Sequence, residues 1–165
     1  LSIVGPLGKG FDMTAQKPLL VGGGLGLAPL KFLAEGFGAG KTDILMGGRT
    51  KEEVCWTCIY DELSEKVFVT TDDGTEGTQG TVMALLPELL ASGVYDCVYV
   101  CGPVPMMKAV ANACLEANVK CQVSLEKYMA CGLGACLSCA CGGIGKRMKV
   151  CTDGPVFWAE EVVEW

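Results

Sequence analysis

Residues 18–37 read PLLVGGGLGLAPLKFLAEGF, and the fold class can be inferred from them. They begin with a short apolar run, pass through a glycine-rich turn and continue with a longer helix-like apolar segment. A buried strand that leads through a glycine turn into a helix is typical of the first unit of an open α/β sheet. The stretch therefore predicts a strand–turn–helix unit whose turn follows the carboxyl end of the strand.

The same alternation of strand and helix continues as far as residue 126. Further strands are predicted at 42–48, 66–74, 96–102 and 120–126, and helices at 27–37 and 104–118. The segment 51–63 is predicted to contain one or two helical turns, and 80–93 to be helical with a bend or restart at Pro87. The strands are continuous runs of Val, Ile, Leu and Tyr, as expected for a parallel sheet covered on both faces. The pattern predicts an α/β fold with a doubly wound, parallel, five-stranded sheet.

The overall charge excludes one class of partner. The net charge is −6, and Lys and Arg cluster nowhere densely enough to neutralise a phosphate backbone, so no nucleic acid is expected. The longest uncharged stretch near the start, residues 18–30, is too short to cross a bilayer, and no secretory signal is visible. We expect a cytoplasmic protein with no membrane partner.

Cysteine and histidine usage restricts the chemistry. The chain has no histidine, which removes the usual general base, and no catalytic side chain is predicted. It has 11 cysteines, and without a secretory signal a disulfide framework is not expected. Chemistry must therefore come from thiolates, from bound cofactors or from backbone groups.

Four cysteines near the carboxyl end have the spacing of an iron–sulfur site. Cys131, Cys136 and Cys139 follow a C-x4-C-x2-C pattern, and Cys151 comes after eleven further residues. This is the plant-type arrangement for a [2Fe–2S] cluster, and the glycines of the loop allow backbone N–H groups to approach sulfur closely. We predict a nucleotide-binding domain at residues 1–126 and a cluster domain at 127–165.

Other interpretations of these cysteines remain open. A zinc site would normally show two paired CxxC units or histidine ligands. Buried structural thiols are a further alternative, and Cys141 could replace Cys139 as a ligand. A separate pair, Cys55 and Cys58, lies in a helix-like segment without glycine, and we expect it to serve in packing.

Three loops are predicted to form a nucleotide site. The turn GGGLGLAP (22–29) departs from the GxGxxG pattern, but it joins a strand to a helix, where N–H groups can hold a pyrophosphate. MGGRT and CGPVPMM follow two other strands, so all three loops should meet at one edge of the sheet. The predicted contacts are Gly22, Gly23, Gly24, Gly26, Arg49, Cys101, Gly102, Pro103 and Met106.

Taken in order, GPLGKGF (5–11), GGGLGLAP (22–29) and CGPVPMM (101–107) resemble the nicotinamide-binding domain of the ferredoxin–NADP reductase superfamily. With EKYMACGLGACLSC (126–139) and VCTDGPVF (150–157), the chain resembles the family of electron-transfer subunits of NAD-linked type B dihydroorotate dehydrogenases. The resemblance implies a [2Fe–2S] cluster, NAD and FAD as cofactors, with Cys131, Cys136, Cys139 and Cys151 as the cluster ligands.

The resemblance also implies a catalytic partner subunit that contains FMN, in a heterotetramer active in pyrimidine biosynthesis. The family's flavin-binding barrel has no counterpart here, and the chain begins with Leu, so we expect that it starts inside a longer protein. A flavin is needed because nicotinamide exchanges two electrons as a hydride whereas a [2Fe–2S] cluster carries one. The chain alone is not expected to turn over.

Two alternative functions remain at this stage. One is a flavin and iron–sulfur subunit of a hydrogenase or of a ferredoxin–NADP reductase. The other is a zinc-stabilised, nucleotide-binding regulatory module without a redox role. Arg49 leaves the choice of nucleotide open, because an arginine at this position can accommodate the 2′-phosphate of NADP whereas the family resemblance favours NAD.

Overall fold

The computed structural model describes residue 3 and residues 5–165. Its strands are β1 (Pro18–Gly23), β2 (Asp43–Gly48), β3 (Lys66–Thr71), β4 (Thr78–Gln79), β5 (Cys97–Cys101), β6 (Lys120–Ser124), β7 (Ala140–Gly143), β8 (Lys146–Lys149), β9 (Val156–Trp158) and β10 (Val162–Glu164). Its α-helices are α1 (Leu27–Phe37), α2 (Thr57–Leu63), α3 (Leu86–Ala91) and α4 (Val104–Glu116). Short 3-10 helices lie at Gly24–Gly26, Val82–Ala84 and Ala159–Glu161.

The larger sheet has the strand order β4-β3-β2-β1-β5-β6-β9. All neighbours pair in parallel except β6 and β9, which are antiparallel. The predicted parallel five-stranded sheet is confirmed as the centre of this sheet, formed by β3, β2, β1, β5 and β6. The short strands β4 and β9 extend it at the two edges, and neither is long enough to produce a sequence pattern.

Helices cover both faces of this sheet, which explains why its strands are continuously apolar. On one face, Leu27 and Leu30 of α1 and Tyr60 of α2 are fully buried. On the other face, Leu86 of α3 and Val110 of α4 are fully buried. The fold is therefore doubly wound, as the sequence predicts.

Two interrupted helical segments agree with the sequence, which predicted one or two helical turns within 51–63 and a bend or restart at Pro87. Of residues 51–63, only Thr57–Leu63 forms an α-helix, and residues 51–56 form turns. The segment 80–93 is divided into a 3-10 turn and α3, with Pro87 in the first turn of α3. Proline is tolerated there because an N–H at that position would have no partner within the helix.

The carboxyl-terminal region forms a small sheet that is connected to the larger one. Strands β10, β7 and β8 form a three-stranded sheet, whereas β9 pairs with β6. The N–H of Leu125 also donates to the carbonyl of Pro155 at 2.8 Å. The predicted division at residue 126 remains a prediction, and strand pairing crosses it.

One close backbone approach brings the ends of β1 and β5 together. A Cβ atom added to Gly26 would lie 2.2 Å from the carbonyl oxygen of Cys101. No real Cβ contact is that short, so only glycine lets the turn after β1 rest on the end of β5. The turn and the loop that follows β5 are thereby held side by side.

We expect Gly26→Ala to lower the free energy of unfolding by about 1–3 kcal/mol, because the added methyl group overpacks two segments of backbone. Gly10→Ala is the matched control, since a Cβ there meets nothing within 4 Å. Urea denaturation of both variants measures the difference. Equal midpoints for the two variants would contradict the close approach.

Candidate functional site

A crevice of about 430 Å³ lies at the carboxyl ends of the central strands. Its lining residues are Gly23, Gly24, Gly47, Gly48, Arg49, Glu53, Asp72, Thr81, Val82, Met83, Pro103, Pro105, Met106 and Ala109. The crevice spans the position where the strand order reverses, between β1 and β5. Ligands of open α/β sheets bind at this position.

The structure brings five of the nine predicted nucleotide contacts together in this crevice: Gly23, Gly24, Arg49, Pro103 and Met106. The other four, Gly22, Gly26, Cys101 and Gly102, lie beside it and shape it. A Cβ on Gly22 would lie 2.4 Å from Leu27 Cδ2, and one on Gly102 would lie 2.6 Å from Met106 Cε. These glycines permit close packing behind the crevice wall.

Two acidic residues of the crevice were not predicted from the sequence. Glu53 lies in the turns after β2, and Asp72 directly follows β3. Asp72 could have been found from its place at the end of an apolar strand. Glu53 could have been found from its spacing of four residues from Arg49, although the segment is not helical at that point.

Glu53 holds Arg49 through three contacts. Oε1 of Glu53 accepts from Arg49 Nε at 2.7 Å and lies 2.5 Å from Arg49 Nη2. Oε2 of Glu53 accepts from the backbone N–H of Arg49 at 2.9 Å. The hydrogen bond from the Arg49 side chain is the main reason why the pKa of Glu53 is lowered, so the carboxylate is charged at neutral pH.

Backbone N–H groups of the cysteine loop after β6 stabilise a thiolate at Cys131. The backbone N–H groups of Leu133 and Cys136 lie 3.3 and 3.5 Å from Cys131 Sγ. These donors, with that of Cys136 contributing most, lower the pKa of Cys131 to about 6. Gly132 and Gly134 have φ of 70° and 79°, which turns their backbone so that the loop wraps around Cys131.

The four cysteines form two pairs. The backbone N–H of Cys136 donates to Cys131 Sγ, and the backbone N–H of Cys151 donates to Cys139 Sγ. The N–H of Cys151 donates to Cys139 Sγ at 3.4 Å and lowers the pKa of Cys139. The pKa of Cys151 is raised, mainly by its hydrogen bond with the Cys139 thiol and also by the charge of Cys131. The charge of Cys131 thus acts on Cys151, so the two pairs are neighbours within the cysteine segment.

The two pairs of cysteines are compatible with an iron–sulfur cluster. Within the part of the chain that the structure describes, no three His, Cys, Asp or Glu side chains are grouped so that they could hold a metal ion. A [2Fe–2S] cluster takes two thiolates on each iron, which matches two separate pairs. Beside Cys151, Thr152 Oγ1 is buried without a hydrogen-bond partner among the described residues, and this hydroxyl could donate to a cluster sulfur.

The remaining cysteines behave differently from the four. Cys141 lies in β7 with its side chain buried in the core, and burial raises its pKa. Cys139 is equally buried but accepts a hydrogen bond from the N–H of Cys151, whereas among the described residues no backbone N–H donates to Cys141 Sγ. This difference favours a structural role for Cys141 over replacement of Cys139. Cys55 and Cys58 are both exposed, so the expectation that this pair serves in packing is wrong.

The crevice and the cysteine loop begin at the same edge of the sheet. Cys101 at the end of β5 is in register with Ser124 at the end of β6. The chain enters the crevice loop after Cys101 and the cysteine segment after Ser124. A nucleotide site and a thiolate site thus follow two adjacent parallel strands.

Comparison with known proteins agrees with this geometry. Residues 20–112 match the family described as oxidoreductase NAD-binding domain, and residues 126–163 match the iron–sulfur cluster binding domain of dihydroorotate dehydrogenase B. The fold and crevice define a dinucleotide-binding oxidoreductase. The chain belongs to the oxidoreductase NAD-binding domain family, with the iron–sulfur domain of dihydroorotate dehydrogenase B following it. The predicted NAD and iron–sulfur cofactors are confirmed.

Similar proteins support the more specific resemblance. The electron transfer subunit of dihydroorotate dehydrogenase B (NAD(+)) of Caldanaerobacter subterraneus subsp. tengcongensis is 47% identical over 99% of the chain. The subunit of the same name from Fusobacterium nucleatum is 42% identical over 98% of the chain. The chain spans 66% and 65% of the length of these two relatives. The resemblance to this family is confirmed, and the relatives' name implies that they act with a partner subunit.

A solved structure supports the fold over the whole chain. The NADH-dependent reduced ferredoxin–NADP oxidoreductase, described in a study of flavin-based electron bifurcation, superimposes with a TM-score of 0.86 at 33% identity. The match covers 99% of the chain and 60% of that structure. Among the described residues, no helix is both long enough and apolar enough to span a membrane.

We expect Gly134→Ala to lower the iron and sulfide bound per chain. A Cβ at Gly134 would lie 3.0 Å from Thr152 Cγ2 and 3.2 Å from Lys149 Nζ, in addition to the cost of a positive φ. Gly145→Ala is the matched control, because Gly145 also has a positive φ, of 70°, but open space around its Cβ. Each positive φ costs roughly 1–2 kcal/mol for an L residue.

Iron and sulfide analysis after anaerobic purification measures this difference. Gly145→Ala should retain the cluster content of the unmodified protein. If both variants lose the cluster equally, backbone strain and not the space beside Thr152 controls binding.

Proposed function

We propose that the chain is the electron-transfer subunit of an NAD-linked dihydroorotate dehydrogenase in pyrimidine biosynthesis. Electrons from the flavin of a catalytic subunit are relayed through a [2Fe–2S] cluster and FAD to NAD+. The observation that supports this most directly is the match of residues 126–163 to the cluster domain of that enzyme, continuing from a strand of an NAD-binding sheet. In the overall reaction, dihydroorotate and NAD+ give orotate, NADH and one proton.

We propose Cys131, Cys136, Cys139 and Cys151 as the cluster ligands. Their four thiolates would hold the cluster, which takes two thiolates on each iron. The N–H groups of Leu133, Cys136 and Cys151 donate to sulfur and stabilise negative charge there. The cluster supplies one-electron transfer, which none of the side chains of this region provides.

We propose that NAD binds across the crevice, with its phosphates over Gly23 and Gly24. The backbone there turns through a positive φ of 55° at Gly24 and leads into α1, so N–H groups face the crevice. Pro103 and Met106 form the opposite wall.

We also propose that residues 1–126 form the nucleotide-binding domain and residues 127–165 the cluster domain. The two family matches support this division.

The partner is a catalytic subunit that contains FMN, in a heterotetramer. An exposed apolar patch beside the cluster loop supports docking at this point: Tyr128, Met129, Leu133 and Leu137 are 95%, 51%, 63% and 56% exposed. Exposed apolar groups that are grouped together are typical of interaction sites.

FAD belongs to the proposal because an intermediate carrier must join two-electron and one-electron chemistry. We place the protein in the cytoplasm, where thiols stay reduced.

A second candidate is the flavin and iron–sulfur subunit of a ferredoxin–NADP reductase. It is favoured by the similarity to the NADH-dependent reduced ferredoxin–NADP oxidoreductase over nearly the whole chain. The two candidates differ in the electron donor. They therefore give opposite results in one assay.

We expect the full-length protein, assembled with its catalytic subunit, to reduce NAD+ with dihydroorotate as donor. The rate of NADH formation is followed by absorbance, with the catalytic subunit alone as control, which should not reduce NAD+. Activity with reduced ferredoxin and none with dihydroorotate would establish the second candidate instead. One zinc and no iron per chain would overturn both and support a zinc-stabilised module.

We expect Cys136→Ser to remove the cluster, because a hydroxyl is a poor ligand for iron that favours thiolate. Cys141→Ala is the control and should keep full iron and sulfide content, since among the described residues no backbone N–H donates to Cys141 Sγ as one does to Cys139 Sγ. The measurements are iron and sulfide per chain and the visible spectrum. Loss of iron in Cys141→Ala with retention in Cys136→Ser would reassign the ligands.

A further inference from the structure

The charged side chains that line the crevice carry a net negative charge. Its lining includes one cation, Arg49, and two carboxylates, Glu53 and Asp72. From the sequence alone, Arg49 could accommodate the extra phosphate of NADP. In the structure it is held by a neighbouring carboxylate, and the local charge at this end of the crevice is negative.

Arg49 is paired with Glu53, although its side chain remains 79% exposed. Two of its side-chain nitrogens, Nε and Nη2, contact Glu53 Oε1, and its backbone N–H donates to Oε2 of the same carboxylate. Its carbonyl accepts from the N–H of Asp73 at 3.2 Å. Asp72 is also close enough that its charge acts on the guanidinium. The guanidinium is therefore oriented toward Glu53 and its charge is compensated.

We propose that Glu53 is a specificity-determining residue that selects NAD over NADP by holding Arg49 and adding negative charge beside the adenosine ribose. The inference rests on the proposed binding of the dinucleotide across this crevice. An unphosphorylated ribose offers hydroxyl donors, which a carboxylate accepts. A 2′-phosphate would bring nearly two further negative charges to a site that already has an excess of one.

The position in the fold agrees with this role. Arg49 directly follows β2, the strand beside β1, and the phosphate-binding turn follows β1. In doubly wound sheets the residues at the end of this neighbouring strand contact the adenosine ribose. Glu53 lies near that end because residues 51–56 form turns after β2. Val54 in these turns packs against Gly48, since a Cβ added to Gly48 would be 2.9 Å from Val54 Cγ1.

The test compares the binding of NADH and NADPH to the full-length, cofactor-loaded protein at constant ionic strength. The unmodified protein should prefer NADH. In Glu53→Gln, the affinity for NADPH relative to NADH should rise by about tenfold, the equivalent of one well-placed charge. Dissociation constants from fluorescence titration give the ratio directly.

Glu52→Gln is the matched control. It removes the same charge one position earlier, from a side chain that accepts from Thr50 Oγ1 at 2.5 Å and does not line the crevice. Its NADPH-to-NADH ratio should stay within about twofold of the unmodified protein, because exposed charges beyond contact distance are weakly felt. An equal rise in both variants would mean that net charge alone acts, and would overturn the inference.

A double variant tests whether Arg49 is the group that Glu53 restrains. In Arg49→Gln/Glu53→Gln, the gain in NADPH affinity should disappear, since no cation remains to receive the phosphate. If the gain persists without Arg49, or if the unmodified protein prefers NADPH, the inference is wrong while nucleotide binding stands. If neither nucleotide binds to the unmodified protein, the proposed crevice function itself fails.

Discussion

The parallel register of β1, β5 and β6 is the constraint on which both cofactor sites depend. Because parallel strands end at the same edge, the turn after β1, the loop after β5 and the cysteine segment after β6 begin side by side. Gly26 makes this possible at the closest point, where it rests against the carbonyl of Cys101. A sheet in any other register would separate the nucleotide crevice from the thiols, and the chain would hold two unrelated sites.

The sequence predicted the parts of the fold that have a repeating physical pattern. The five long strands and the full length of α1 follow from apolar runs bounded by glycine, and the structure has them. Strand β9 could not be predicted, because three residues define no period and its pairing with β6 depends on a chain reversal across the whole cysteine segment. The helical turns predicted within 51–63 begin only at Thr57, after turns in which Val54 lies close to Gly48, a tertiary contact that has no local signal.

The sites show the same division between local and tertiary information. Cysteine spacing predicts a ligand set because a cluster loop is local, and this set stays a prediction. The structure joins its members in two pairs through backbone hydrogen bonds. The sequence placed Arg49 at the end of β2 but did not show that its charge is compensated. The compensating carboxylate, Glu53, lies in the turns that follow. Asp72 arrives from a different strand altogether. Charge balance in a crevice is a property of the assembled loops, whereas the spacing of ligands within one loop is a property of the sequence.

The pairing of β6 with β9 has a consequence for how the cysteine segment gains and loses its cluster. The N–H of Leu125 and the carbonyl of Pro155 close this segment at its base, so it is a loop anchored at both ends and not a free tail. Most of the entropic cost of closing the loop between Cys139 and Cys151 is therefore already included in formation of the sheet, independently of metal binding. Cys139 and Cys151 are thus held near each other by the fold itself, and the N–H of Cys151 donates to Cys139 Sγ.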